Sequence, residues 1–346
     1  MSQRRQPLPC MHLLDWIVFT LWVAYLPKIN KSILSFFWVG VISLLTSLFR
    51  FSMPEVLIGG LYLLRWLIYS SFSNIKIQLF KLLPILGFGM AILGLGQYLL
   101  FPDIRGLFPL GWDLHYYRVV GTLLDPGFIG LIFVFTLVYL IFNNFPKITW
   151  ILTYVALALT YSRASYLAFF IAFSWVSYQK KTWKFFLLSL CLITVTVTVL
   201  PRTADGEGVK LERTSSVWAR AESWKTAWNI FTQNPILGVG FNTYRYAQGA
   251  SAESHAGAGS DSSLLLVLAT TGIVGFVFYI KYLKYLWKLG KNDLVLSASL
   301  VAVFIHSFFL NSQFYPHVVL WIALLLQRHF QLFPQDIGRP IRNHKD

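Results

Sequence analysis

Apolar residues occur along this chain in long runs separated by short polar links. A run of about 15 to 20 apolar residues is long enough for a helix that crosses a lipid bilayer. The pattern predicts eleven such helices, near residues 13–26, 33–49, 55–72, 82–101, 127–142, 148–161, 164–178, 183–200, 264–280, 294–310 and 316–330. The predicted fold class is therefore all-α, a polytopic transmembrane helical bundle of about 11 to 12 spans.

Composition supports a single integral membrane domain over residues 1–346. The chain is 56% hydrophobic and only 12% charged, which is too apolar for one soluble core. The first helix follows Arg4 and Arg5, so a cleaved signal peptide is an alternative, although no small-residue cleavage pattern follows it. Cys10 and Cys191 are the two cysteines, so neither a disulfide framework nor a cysteine-based metal site is expected.

The net charge of +15 would suit a nucleic-acid-binding protein, but its distribution argues otherwise. Lysines are concentrated in the short links at 179–184 and 281–291, as expected for cytoplasmic links under the positive-inside rule. This orientation makes 201–262 an extracytoplasmic loop and 331–346 a cytoplasmic tail, and no nucleic-acid partner is expected. It also leaves the N-terminus outside, which a missed or missing first helix would explain.

Most candidate chemistry then lies on the outer side, in three segments. These are "FPDIRGLFPLGWDLHYYRVVGTLLDPG" at 101–127, "YSRAS" at 161–165 and the loop 201–262. Within the loop, residues 216–231 place Val217, Ala221, Trp224, Trp228 and Phe231 at helical spacing. Tryptophan on such a stripe favours the membrane interface, and a helix that only rests on the bilayer is the alternative. Residues 234–245, "NPILGVGFNTYR", predict a turn.

The order of these motifs resembles the O-antigen ligase and polymerase superfamily. The resemblance rests on an outer loop ending in "DPG", then "SRAS", an Arg-x-x-x-Trp helix, "NPILGVG", and a polar residue eleven positions before the glycine of "TTGIVG". It implies a glycan transferase of the bacterial cytoplasmic (inner) membrane, with its active site facing outward. The implied partners are a polyprenyl-diphosphate-linked glycan donor, membrane lipids, and a lipid, glycan or protein acceptor.

Transfer from such a donor needs positive charge, because the leaving diphosphate departs without help from a protein acid. Arg163, which begins a predicted span on the outer side, is the first candidate, with snorkelling to lipid headgroups as its alternative. Arg220 and Arg118 are further candidates for binding the diphosphate, with local salt bridges as their alternative. Arg65 lies within a predicted span, and snorkelling to the cytoplasmic surface is expected for it.

Asp261 is the candidate catalytic base. Typical ligases carry a histidine eleven residues before the glycine, and Asp261 occupies that place here. A carboxylate there can accept the proton of the acceptor hydroxyl, whereas capping of the following helix is the alternative role. His255 and Glu222 are the next candidate bases.

Two other classes of protein remain open. A lipid-linked saccharide flippase or other transporter would also be a many-helix bundle, although no internal repeat is visible. A non-catalytic membrane scaffold is the third class. Four scattered histidines show no ligand-like spacing, so a metal-independent enzyme without a cofactor is expected: His115, His255, His306 and His317.

Overall fold

The computed structural model describes residues 13–75, 77–110, 112–202, 207–249 and 259–333. These ranges contain helices and loops but no β-strand, apart from an isolated bridge between Asp103 and Tyr116. The α-helices in chain order are α1 (Leu13–Tyr25), α2 (Lys31–Ser47), α3 (Met53–Ser71), α4 (Leu83–Leu100), α5 (Pro126–Phe142), α6 (Lys147–Ala158), α7 (Arg163–Gln179), α8 (Lys184–Val199), α9 (Ser215–Gln233), α10 (Tyr244–Ala247), α11 (Ser263–Gly290), α12 (Leu294–His306) and α13 (Pro316–Leu332).

The predicted all-α class is confirmed, and a helix stands at each of the eleven predicted positions. Three helical segments in the described ranges are long and apolar enough to cross a membrane: Met53–Asn74, Leu79–Leu100 and Ser263–Gly290. Six other apolar helices are shorter, between 10 and 17 residues. The number of spans therefore remains a prediction.

Helix α5 lies at the centre of the bundle. Its sequence is apolar on every side, which is typical of a helix surrounded by other helices. The structure agrees, since nearly every residue from Pro126 to Leu140 is buried, and α5 packs against α4, α6, α7 and α12. Asp125 caps this helix by accepting hydrogen bonds from the N–H groups of Gly127 and Phe128 at 2.7 and 2.9 Å. The cap fixes the loop between α4 and α5 at the start of α5.

Helices α7 and α12 approach each other closely because small side chains line their interface. Ala164, Ala168 and Ala172 recur at intervals of four along α7 and are buried. Ala298 and Ala302 do the same on α12. Small residues at this spacing let two helix backbones approach within a membrane, where packing replaces the hydrophobic effect as the driving force. The start of α7, with Arg163, is thereby held against the end of α12.

Helix α11 is interrupted at Gly272, where φ is 63° and ψ is −166°. This conformation is open almost exclusively to glycine and breaks the helical hydrogen-bond ladder. The turn at 235–240 satisfies the freed backbone groups through four hydrogen bonds: Val239 N to Ala269 O (3.0 Å), Gly240 N to Thr270 O (2.9 Å), Ile273 N to Pro235 O (2.8 Å) and Val274 N to Ile236 O (3.3 Å).

The motifs "NPILGVG" and "TTGIVG" therefore form one structural unit. A broken helix at membrane depth is tolerated where other protein groups satisfy its backbone. Ser43 of α2 strengthens the unit, because its hydroxyl lies 2.7 Å from the carbonyl oxygens of both Leu237 and Thr270. The unit anchors the segment that directly follows α9 to the bundle, and so fixes the position of α9 against α11.

Arg65 does not behave as the sequence suggested. Its Nε lies 2.6 Å from Oδ1 of Asp15, and the Tyr69 hydroxyl donates to the same carboxylate oxygen at 2.7 Å. The expectation that Arg65 snorkels to the cytoplasmic surface is therefore wrong. A buried partner on α1 offsets the cost of placing the cation within the bundle, and a sequence offers no direct sign of such a partner between distant helices.

Candidate functional site

Four arginines gather at the end of the bundle where α7 and α11 begin. The first, Arg163, opens α7 directly after its N-cap Ser162. Its Nη1 donates to the carbonyl oxygens of Leu211 and Arg213 at 3.1 and 3.0 Å, and its Nη2 donates to the Ser216 hydroxyl at 2.6 Å. Arg163 therefore fixes the chain just before and within the first turn of α9.

Arg118 and Arg213 hold the turn that precedes α7. Arg118 is buried, and its Nε donates to the carbonyl of Thr160 at 2.9 Å. The carbonyl of Tyr161 lies 3.4 Å from Nη2 of both arginines. Arg213 also donates from Nη1 to the carbonyl of Gly208 at 2.8 Å. Each arginine uses its planar fork to tie separate loop segments together, which lysine could not do.

Burial lowers the pKa of the Arg118 guanidinium, and the neighbouring charge of Arg213 lowers it further. The same two arginines act on His115, whose pKa burial lowers to about 3. Both effects indicate a region of positive potential in the loops that precede α5 and α9. Binding of an anion would relieve this repulsion, because each cation is desolvated beside another.

Asp261 lies directly before α11 but does not cap it. The N-cap is Ser262, whose side chain accepts from the N–H of Leu265. The backbone of Asp261 is held from α9: its N–H donates to the Ser223 hydroxyl at 3.0 Å, and its carbonyl accepts from Trp224 Nε1 at 3.3 Å. The capping role considered for Asp261 is thus filled by its neighbour.

The carboxylate of Asp261 makes no hydrogen bond with any other described residue. Burial raises the pKa of this carboxyl; the charge of Arg220 opposes the rise, and Asp113 and Asp125 add to it. A half-buried carboxylate with a raised pKa and open oxygens is suited to accepting a proton.

Arg220 projects from α9 toward the same place. Its guanidinium packs over the Phe309 ring at 5.9 Å and, like Asp261, makes no hydrogen bond within the part of the chain that the structure describes. Burial lowers its pKa, and the charges of Asp261 and Asp125 raise it. Arg220 is thus a partly desolvated cation near the Asp261 carboxylate, and the hydrogen-bonding groups of both side chains are available to a ligand.

The structure does not bring all the candidate site residues together. Arg118, Arg163, Arg220 and Asp261 interact through their charges or share the loops just described. Glu222 lies on the exposed side of α9, away from the face with Arg220 and Ser223, so the structure does not bring it to the site. His255 lies outside the described residues.

The apolar stripe predicted on α9 is not the packing face of this helix. The buried residues are Ala227 and Ile230, which face α11, whereas four of the five stripe residues are exposed: Val217, Ala221, Trp224 and Trp228. Contact of these tryptophans with the membrane interface stays a prediction.

Sequence reasoning missed Arg213, Ser223 and His306. Ser223 follows Arg220 by three residues, so helical periodicity could have placed it on the same face. His306 is buried and bonded to Ser165 and Ser312, and no local pattern indicates these partners. Among the described residues, no group of three or more His, Cys, Asp or Glu side chains could hold a metal ion.

Residues 148–280 match the family model described as O-antigen ligase. The matched range includes Arg163, Arg220, Asp261 and the Gly272 interruption, and ends within α11. Comparison with the curated proteins gives no match. The family match confirms the resemblance drawn from the motif order.

Proposed function

We propose that this chain, which matches the O-antigen ligase family model over residues 148–280, transfers a saccharide from a polyprenyl-diphosphate donor to an acceptor hydroxyl on the outer face of the bacterial cytoplasmic membrane. The acceptor is a lipid, a glycan or a protein. Asp261 is the proposed base, and the arginine cluster is the proposed binding site for the diphosphate.

One observation carries this proposal. Asp261 and Arg220 lie near each other at the mouth of α11, and neither side chain is hydrogen bonded to another described residue. Partly buried charged groups are normally satisfied by protein partners, because leaving them open is costly. A base and a cation that are both available to substrate suit transfer from a diphosphate donor.

The proposed reaction breaks the bond between the anomeric carbon and the diphosphate oxygen. The acceptor oxygen forms the new bond to that carbon, its proton passes to the Asp261 carboxylate, and the polyprenyl diphosphate leaves with the bonding electron pair. Arg220 stabilises the charge that develops on the leaving oxygen. Asp261 later releases its proton to water, which restores the starting state.

The remaining arginines have different roles in this proposal. Arg163 donates three hydrogen bonds to protein groups, so it supplies positive charge and also fixes the start of α9. Arg118 is buried and acts through its charge and through the turn at Thr160 and Tyr161. Arg220 has the most donors left for direct contact with phosphate oxygens.

The proposal includes a topology: about eleven or twelve spans, one integral membrane domain, an extracytoplasmic loop at 201–262 and a cytoplasmic tail at 331–346. We expect a cysteine replacing Ser215 to react with a membrane-impermeant thiol reagent in spheroplasts, and one replacing Lys288 to react only after lysis. Both positions are exposed, and Cys10 and Cys191 would first be replaced. The reverse labelling pattern would contradict the site assignment.

The arginine assignment gives a second prediction. Arg220→Lys and Arg163→Lys should each lower transfer efficiency by about 1 to 3 kcal/mol of transition-state stabilisation, because lysine keeps the charge but loses the fork. Arg202→Lys is the matched control, since Arg202 lies in the same loop, half-exposed, with a long 3.8 Å ion pair to Glu212. If both site variants insert normally and transfer at the parental rate, the diphosphate is bound elsewhere.

Function is tested with the purified full chain in proteoliposomes that contain a defined polyprenyl-diphosphate saccharide and candidate acceptors. Mass spectrometry should detect a new glycosidic product together with the released polyprenyl diphosphate. A transporter would instead move the intact donor across the bilayer and form no new bond. That result would overturn the proposed transferase activity and favour the alternative of a lipid-linked saccharide flippase.

A further inference from the structure

A fully buried histidine connects the elements that carry the diphosphate arginines. His306 ends α12 with no exposed surface. Its Nε2 lies 3.2 Å from the Ser165 hydroxyl in the first turn of α7, and its Nδ1 lies 2.6 Å from the Ser312 hydroxyl in the link that follows α12. Neither the motif order nor the proposed reaction uses this residue.

The partners of His306 indicate which of its ring nitrogens donates a hydrogen bond and which accepts one. The Ser165 hydroxyl lies 3.1 Å from the Gly127 carbonyl, which can only accept. The Ser162 hydroxyl is a second acceptor at 2.8 Å. With its one proton donated to either of these groups, Ser165 accepts from His306 Nε2–H. A neutral imidazole then accepts at Nδ1, so the Ser312 hydroxyl donates to it. The ring is thereby held by two directional contacts at opposite ends.

Each contact leads to a different arginine. Ser165 lies two residues after Arg163, and it also contacts the hydroxyl of the N-cap Ser162 at 2.8 Å. On the other side, Ser312 belongs to the same link as Phe309, whose ring lies under the Arg220 guanidinium. His306 is therefore the buried joint between the start of α7 and the link that supports Arg220.

We propose that His306 is a positioning residue that sets the distance and orientation of Arg163 and Arg220 for one diphosphate. This inference rests on the proposed function for the identity of the anion. The catalytic chemistry remains with Asp261, and His306 touches neither the donor nor the acceptor.

Two amide substitutions separate the contacts of the ring. Asparagine can place an amide oxygen near the position of Nδ1 and keep the Ser312 contact, but it cannot reach Ser165. Glutamine can place its Nε2 near the position of the histidine Nε2 and keep the Ser165 contact. If the position of α7 matters most for the donor, His306→Gln should preserve more binding than His306→Asn. A merely space-filling role would also favour glutamine over asparagine, because glutamine is the larger residue. His306→Met separates the two cases, since methionine fills a similar volume without a hydrogen-bond donor: it should bind like His306→Gln if the ring only fills space, and more weakly if the Ser165 contact matters.

The test measures binding of undecaprenyl diphosphate, without a sugar, to the full chain in nanodiscs. We expect His306→Asn to weaken binding by about tenfold, which is the scale of one buried hydrogen bond left unmade, and His306→Gln to weaken it by less. His329→Asn is the control, because His329 is as buried as His306. It lies beside Asp293 in the last turn of α13, whereas the link with Ser312 precedes the first turn of that helix. His329→Asn should lower thermal stability about as much as His306→Asn does, but it should change undecaprenyl diphosphate binding little.

A double-mutant cycle distinguishes positioning from general destabilisation. His306→Asn and Arg220→Lys should be non-additive in undecaprenyl diphosphate binding, since both disturb the same contact. Parental affinity in His306→Asn, or strictly additive effects, would overturn the positioning role. If the parental chain binds the diphosphate but forms no glycosidic product, the proposed function fails while the binding data still decide the role of His306.

Discussion

Asp261→Asn should lower saccharide transfer by about 100-fold or more, the usual scale for loss of a general base. The physical reason is that asparagine has nearly the same shape but cannot accept a proton at neutral pH. Two backbone contacts from Ser223 and Trp224 hold residue 261 in place, and neither depends on its carboxylate. Folding and donor binding should therefore stay near the parental level.

Transfer is measured with purified protein and a defined lipid-linked donor, alongside undecaprenyl diphosphate binding. Ser262→Ala is the matched control, because it removes the N-cap of α11 but leaves the carboxylate. It should lower stability by about 1 kcal/mol and largely retain transfer. Parental turnover in Asp261→Asn would remove Asp261 from the chemistry and make His255 the next base to test.

The pH dependence of the parental protein provides an independent measurement. Since burial raises the pKa of the Asp261 carboxyl, the protonated, inactive form persists above the usual range for an aspartate. Transfer should be fully developed above that raised pKa and decline as the pH falls through it. Asp261→Asn should lose this acidic limb along with most of its rate, whereas Ser262→Ala should keep it.

The lengths of the apolar runs predict the positions of the helices well, because a long apolar run bounded by polar links forms one continuous helix. The same signal could not predict the break in α11. Gly272 lies in a run that is apolar on both sides, and its conformation depends on the distant turn at 235–240. Hydrogen bonds between distant backbone segments belong to the tertiary structure, so the hydropathy of a local run does not reveal them.

The sequence indicates only some of the residues that meet at the candidate site, and the others depend on long-range contacts. Arg163, Arg220 and Asp261 were identified from their motif positions, and the structure brings them to one end of the bundle. Glu222, a further candidate base, lies two residues after Arg220, which corresponds to roughly half a turn of helix and places it on the exposed side. Arg65 was given a solvent-directed role because Asp15, its partner, lies fifty residues away.

Gly272→Ala should destabilise the fold by about 3 kcal/mol or more, combining a left-handed backbone that alanine tolerates poorly with overpacking of a buried site. A Cβ at this position would overlap the backbone of Ile236, which cannot move without breaking the hydrogen bonds of the 235–240 turn. The displaced turn would release α9 and with it Arg220. Transfer should therefore fall together with thermal stability.

Gly96→Ala is the matched control, because a Cβ built at Gly96 in α4 meets nothing within 4 Å and its backbone is helical. Alanine there should be neutral or stabilise by about 0.5 to 1 kcal/mol, the usual difference between the two residues in a helix. The two variants can be compared by thermal unfolding in one detergent and by transfer in proteoliposomes. If Gly272→Ala unfolds at the parental temperature and retains transfer, then α11 does not need the interruption at Gly272 and its hydrogen bonds to the 235–240 turn. The pairing of "NPILGVG" with "TTGIVG" would then not be what holds Arg220 opposite Asp261.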